Sequence, residues 1–192
     1  MEEINRGLFE YAIWRQFEND RRSNSETFQY AGVFYAVVST CMIDSILWHL
    51  SKIIDDHQDS IGMIKFLNYI ESNCPGIFST KSSDVIKHLE EDKQQITLLT
   101  SEITKIKGFR DKYLAHIDKT IQGDRQLATN SYPITLGEIK QVFTKCGEIL
   151  NHYSLEYNRS FNALGPSGND YRNFKLCVEE GYKSLKSKWT NS

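Results

Sequence analysis

Between Asp84 and about Asp118, the apolar residues Ile96, Leu99, Ile103 and Ile106 recur at steps of three and four. That spacing lines them along one face of a helix, and a helix with such a stripe must bury it against neighbours. Carried forward at the same rhythm, the stripe reaches Arg110, then Tyr113 or Leu114, then Ile117. A guanidinium therefore arrives on a face that had been apolar. Burying a charge is costly unless it is paired, opened to solvent in a cleft, or used, so Arg110 requires a reason.

The rest of the chain repeats the helical signal. Leu8, Ile13, Trp14 and Phe17 keep helical spacing in INRGLFEYAIWRQFEND. A polar break, DRRSNSE, offers Asn24 or Ser25 as a cap. From Phe28 to Ile54 the chain is apolar on several sides and is expected to form the most buried helix. Ser60 is expected to cap IGMIKFLNYIES, and NCPGIFSTKSS, with Pro75 and Gly76, to be a loop. A second loop is expected over IQGDRQLATNSYPI. Thr135 and Glu138 have the spacing of a capping box and open a helix through IKQVFTKCGEILNHYSLEYNRSF. A last amphipathic segment is YRNFKLCVEEGYKSLKSKW. Together these predict an all-α, up-and-down bundle of four main helices with terminal helical additions. The N-terminal helix spans 1–24, the bundle 25–160, and a C-terminal extension over 161–192 packs on the same domain.

Composition bounds the function. A chain of 192 residues suits one domain with one core. Its formal charge of −2, from 23 basic and 25 acidic residues, is not that of a protein that coats nucleic acid by bulk electrostatics. Any RNA contact must be local and transient. No apolar run is expected to reach membrane-spanning length. The opening MEEINRGLFEY lacks the basic and apolar regions of an export signal, so a cytoplasmic protein without membrane contact is expected. Cys41, Cys74, Cys146 and Cys177 form no C-x-x-C pair and have no His at metal spacing. This argues for reduced thiols, two or three of them buried, and against a zinc site. No Gly-rich phosphate loop or dinucleotide fingerprint is present, and no cofactor is expected.

His116 stands six positions beyond Arg110. In a regular helix that is about 9 Å of rise and about 120° of rotation, so the two side chains do not converge on one helix. To meet one phosphate, either the helix end unwinds near Leu114 to Asp118, or two copies pack together and each lends a residue. The sequence RDKYLAH, with Arg110 and His116 enclosing five residues and Asp111 directly after the arginine, resembles the R-x(4 to 6)-H motif of the HEPN superfamily. With LAHID, SILWHLSKIIDD and the all-helical layout, it looks most like the abortive-infection U-type branch, over roughly residues 25 to 158.

The resemblance implies a helical bundle that dimerises through the motif helices. It also implies metal-independent ribonuclease activity in active members, often in phage defence or toxin–antitoxin systems, where an antitoxin protein is a further partner. Other members are inactive scaffolds. RNA carries its own nucleophile, the 2′-hydroxyl. His116, with a reference pKa of about 6.5, can exchange a proton at cellular pH. Arg110 can hold the charge developing on the phosphate. Asp111 can orient either group, and Lys112 and Tyr113 can contact the substrate.

The plainer alternatives stay open. Arg110 can pair with an acidic residue of a neighbouring helix, and His116 can serve a helix end. Asp55 and Asp56 either form an acidic helix end or face Arg110. His49 is expected to pack beside Trp48, His57 to lie at the surface of a helix end, and His88 and His152 to serve amphipathic helices. KSLKSKW is expected to be a solvated helix face.

Overall fold

The computed structural model describes residues 1–23, 31–78, 82–114, 125–158 and 170–190. Among them are eight α-helices and no strand: α1 (Glu2–Ser23), α2 (Gly32–Ile53), α3 (Met63–Ile77), α4 (Ser82–Leu98), α5 (Thr100–Phe109), α6 (Arg125–Ser131), α7 (Leu136–Asn158) and α8 (Asp170–Thr190). A π-turn over Arg110–Leu114 continues α5. The all-α bundle expected from the pattern is the fold. One core joins Ile4, Ile46, Leu50, Leu67, Leu89, Ile106, Ile139 and Phe143 from α1, α2, α3, α4, α5 and α7. The suggested caps Asn24 and Ser25 fall outside the described residues.

The most extensive helix pairing is α1 on α2. Ile4, Leu8, Tyr11, Trp14 and Phe17 form its buried stripe. Polar groups fix the register: Trp14 Nε1 donates to Ser39 Oγ at 2.9 Å, and that hydroxyl donates to Glu18 at 2.8 Å. Trp48 is exposed, whereas His49 is buried. Its buried ring instead lies between two carboxylates of α1, with Nδ1 2.5 Å from Glu3 and Nε2 3.4 Å from Glu10.

Several expectations need correction. The α2 helix is buried mainly in its C-terminal half, whereas Val33, Phe34 and Val37 are exposed. It is long and apolar enough to cross a membrane, contrary to the expectation that no segment is, although it packs here as one helix of the bundle. The cap of α3 is Gly62, not Ser60, whose hydroxyl donates to the carbonyls of Asp55 and His57. The α3 helix also runs through Pro75 and Gly76 to Ile77, where a loop was expected. Burial of Cys74 and Phe78 holds that last turn in place, and the Phe78 N–H donates to the Cys74 carbonyl at 2.8 Å.

The long helix expected from Asp84 is two helices. At Leu99 the backbone (φ −94°, ψ 11°) leaves the helical region, and its N–H bonds to Ile96. Leu99 itself stays buried, so the stripe crosses the break. The second expected loop contains α6, anchored by the fully buried Ala128. The capping box is present: the Thr135 N–H donates to Glu138 at 2.5 Å, and the Glu138 N–H donates to Thr135 Oγ1 at 3.2 Å. An ion pair of 2.6 Å between Lys175 and Asp20 ties α8 to α1.

Candidate functional site

The stripe delivers Arg110 to the end of α5, where Ile106 and Phe109 are buried and the next residue must leave the core. There the helix widens into the π-turn Arg110–Leu114, which coincides with the first five residues of the motif. Single π-turns inside α-helices are rare and occur often at functional sites. Gly108 is needed just before it, because a Cβ there would lie 2.2 Å from the Tyr132 ring.

Arg110 is paired. Its Nη1 donates to Asp55 Oδ1 at 3.1 Å and its Nε to Asp111 Oδ1 at 2.7 Å. The arginine side chain is 18% exposed, that of Asp55 24% and that of Asp111 51%. Burial alone would lower the Arg110 pKa, but the Asp111 and Asp55 carboxylates more than offset it, so the guanidinium stays charged. Burial likewise pushes Asp55 up, and the His57 N–H and Arg110 outweigh it, leaving this carboxyl below its ordinary range. Asp56 turns the other way and meets Lys107 at 2.8 Å, which lowers its pKa. The choice left open for the two aspartates thus resolves into one pair each.

The loop after α2 is shaped to present Asp55. Gly62 lies so close that a Cβ would sit 1.9 Å from the Asp55 carbonyl oxygen, and the Ser60 hydroxyl bonds to the same carbonyl. Asp55 also borders a cleft of about 520 Å³ lined by Glu3, Lys52, Phe66 and Leu150.

On the other side of the turn lies a residue that the sequence reading left in a loop. Arg125, the first residue of α6, pairs with Asp44 of α2. Its guanidinium stands 5.8 Å from the Phe109 ring centre and 5.7 Å from that of Tyr113. Those rings are themselves 5.2 Å apart. Tyr113 is half-buried against the core, and Lys112 is half-buried too. His116 lies outside the described residues. The structure thus brings Arg110, Asp111 and Asp55 together and sets Arg125 against the rings on either side of Arg110. Among the described residues no group of three or more His, Cys, Asp or Glu side chains could hold a metal. A signal for Arg125 was available: Asp44 is the one acidic residue in the apolar α2 sequence, and such a charge calls for a cation.

The described helices, with the π-turn over Arg110–Leu114, are those of an all-α, HEPN-like helical bundle. A family model described as AbiU2, of HEPN type, matches residues 1–174, and the chain belongs to that family. Membership makes it a defence- or toxin-related HEPN domain. No curated protein and no solved structure matches it.

Proposed function

We propose that this chain is a metal-independent endoribonuclease acting in phage defence or as a toxin. In this reading a homodimer, formed through the motif helices, builds the site in the cytoplasm, and an antitoxin protein restrains it. A 2′-oxygen loses its proton to His116 of one copy and attacks phosphorus, while the P–O5′ bond breaks. The 5′-oxygen takes a proton from the second copy's imidazole, leaving a 2′,3′-cyclic phosphate and a 5′-hydroxyl. A guanidinium at the motif turn stabilises the charge on the phosphate. The observation that carries this reading is the π-turn at the motif, which opens on a charged arginine at the end of the core stripe in a chain of this family.

The test incubates purified protein with RNA and with the matching DNA in the presence of a chelator. Cleavage of RNA alone, lost in His116→Ala, is the expected result. DNA cleavage, or RNA cleavage that survives His116→Ala, would overturn it.

The double pairing of Arg110 favours a second reading, a non-catalytic module that dimerises or holds a partner protein and uses Arg110 as a staple. In that case the wild type leaves RNA intact and Arg110→Ala unfolds readily. A well-folded but inactive Arg110→Ala supports the enzyme.

A further inference from the structure

Arg110 enters the site with two carboxylates already on its guanidinium. One positive and two negative charges leave the Arg110 cluster itself net negative, a poor seat for a phosphate. Lys107 does not correct this, because it is neutralised by Asp56. Within the turn the other cation is Lys112, which is half-buried, so a phosphate there gains from a cation supplied by another element.

Arg125 has the properties required. Among the described residues it carries one carboxylate, Asp44, bonded through Nη1. A guanidinium offers five donors in a planar fork, so a second oxyanion can still be taken. Its side chain is 29% exposed, against 18% for Arg110. Contact with the Phe109 and Tyr113 rings helps hold the guanidinium in place. Phe109 and Tyr113 stand one residue before and three residues after Arg110, so Arg125 is tethered to the same motif turn although it comes from a different helix. Asp44 fixes the far side from α2.

We infer that Arg125 is the phosphate-holding guanidinium of this site, contacting a non-bridging oxygen of single-stranded RNA, with Asp44, Phe109 and Tyr113 as its positioning residues. The inference rests on the RNA reading above. Arg110 then sets the shape of the turn and the local charge, and Arg125 supplies the attraction.

Binding of a short, labelled single-stranded oligonucleotide with 2′-O-methyl sugars tests this without depending on cleavage. The dissociation constant is measured against salt for two unrelated base sequences. Each phosphate contact to a single strand contributes about 0.7 to the slope of log K against log salt. Arg125→Gln should weaken binding about tenfold at low salt and reduce the slope by about 0.7, equally for both sequences. Arg125→Lys should keep the slope and lose part of the affinity, because the charge remains and the fork does not. Exchanging the charges, Asp44→Arg with Arg125→Asp, keeps an ion pair between α2 and α6 and should preserve the melting temperature while losing RNA affinity. A merely structural Arg125 predicts the opposite: normal affinity in the exchanged protein and an unchanged slope in Arg125→Gln, and either result overturns the inference. If Arg125→Gln fails to fold, the lysine and exchanged variants decide. Wild-type protein that binds no RNA overturns the RNA reading and this inference together, whereas wild-type binding with an unaltered variant slope overturns this inference alone.

Discussion

Removing the Asp55 carboxylate by Asp55→Asn leaves the side-chain volume and the acceptor for the His57 N–H nearly intact, but strips Arg110 of one of its two counter-charges. Exposed ion pairs contribute about 0.2–1 kcal/mol, and breaking a fully buried pair costs about 3–5 kcal/mol. With the two side chains 18% and 24% exposed, this pair falls between those limits. A loss of about 1–2 kcal/mol is expected for Asp55→Asn, and about 2 kcal/mol for Arg110→Gln, which also releases Asp111. The double variant should lose about 1 kcal/mol less than the sum of the singles. Urea unfolding of all four proteins measures the cycle. The pH dependence supplies an independent sign. The Asp55 carboxyl lies below its ordinary range in the folded state, so as pH falls the unfolded chain takes up this proton first. The contribution is complete above the unfolded value of about 3.9 and is lost as pH falls through the folded one. The difference between wild type and Asp55→Asn should therefore shrink below about pH 4. Singles that add within about 0.3 kcal/mol, with no shrinkage in acid, would refute the pairing and leave Arg110 free for a substrate.

Three further outcomes follow from the packing. Gly62→Ala drives a methyl into the Asp55 backbone carbonyl, which cannot swing away as a side chain would, and should cost about 1–3 kcal/mol in thermal or urea unfolding. Glu138→Gln weakens the capping box and the 2.6 Å pair with Lys105, and should lose about 1 kcal/mol at pH 7. Lys105 and the Thr135 N–H hold the Glu138 pKa at about 2, so that loss should fade as pH drops from about 4.3 towards that value. In the native protein a thiol reagent should label Cys41 and Cys177 but not Cys74 or Cys146. Burial pushes the Cys146 thiol up to about 12, and both buried thiols should react only once urea unfolds the chain.

The periodic features of this fold were largely legible because helical burial writes itself into spacing: the stripe from Ile96 to Ile106 and the cap at Thr135 lie where the pattern put them, and in α1 Leu8, Trp14 and Phe17 are buried as expected, with Tyr11 in place of the half-buried Ile13. The breaks were less legible. Leu99 is apolar and on rhythm, so nothing local announces that its backbone leaves the helix, and Pro75 reads as a terminator until Cys74 and Phe78 are known to be buried around it. Charge pairing was legible only as a demand. Arg110 on an apolar stripe asked for a carboxylate or a cleft, and Asp55 and Asp56 stood as equal candidates until the loop fixed by Gly62 turned one to Arg110 and the other to Lys107. The lone acid Asp44 made the same demand from the opposite side, and its partner sat in a stretch that resembled a loop. Among the described residues both demands are met at one turn, and unequally: two carboxylates for Arg110, one for Arg125. On the inference drawn above, an anion arriving there gains more from the second guanidinium than from the first, although the motif contains only the first. A motif read along the chain records which residues share a helix, whereas the charge available to a ligand depends on which carboxylates the fold has already spent.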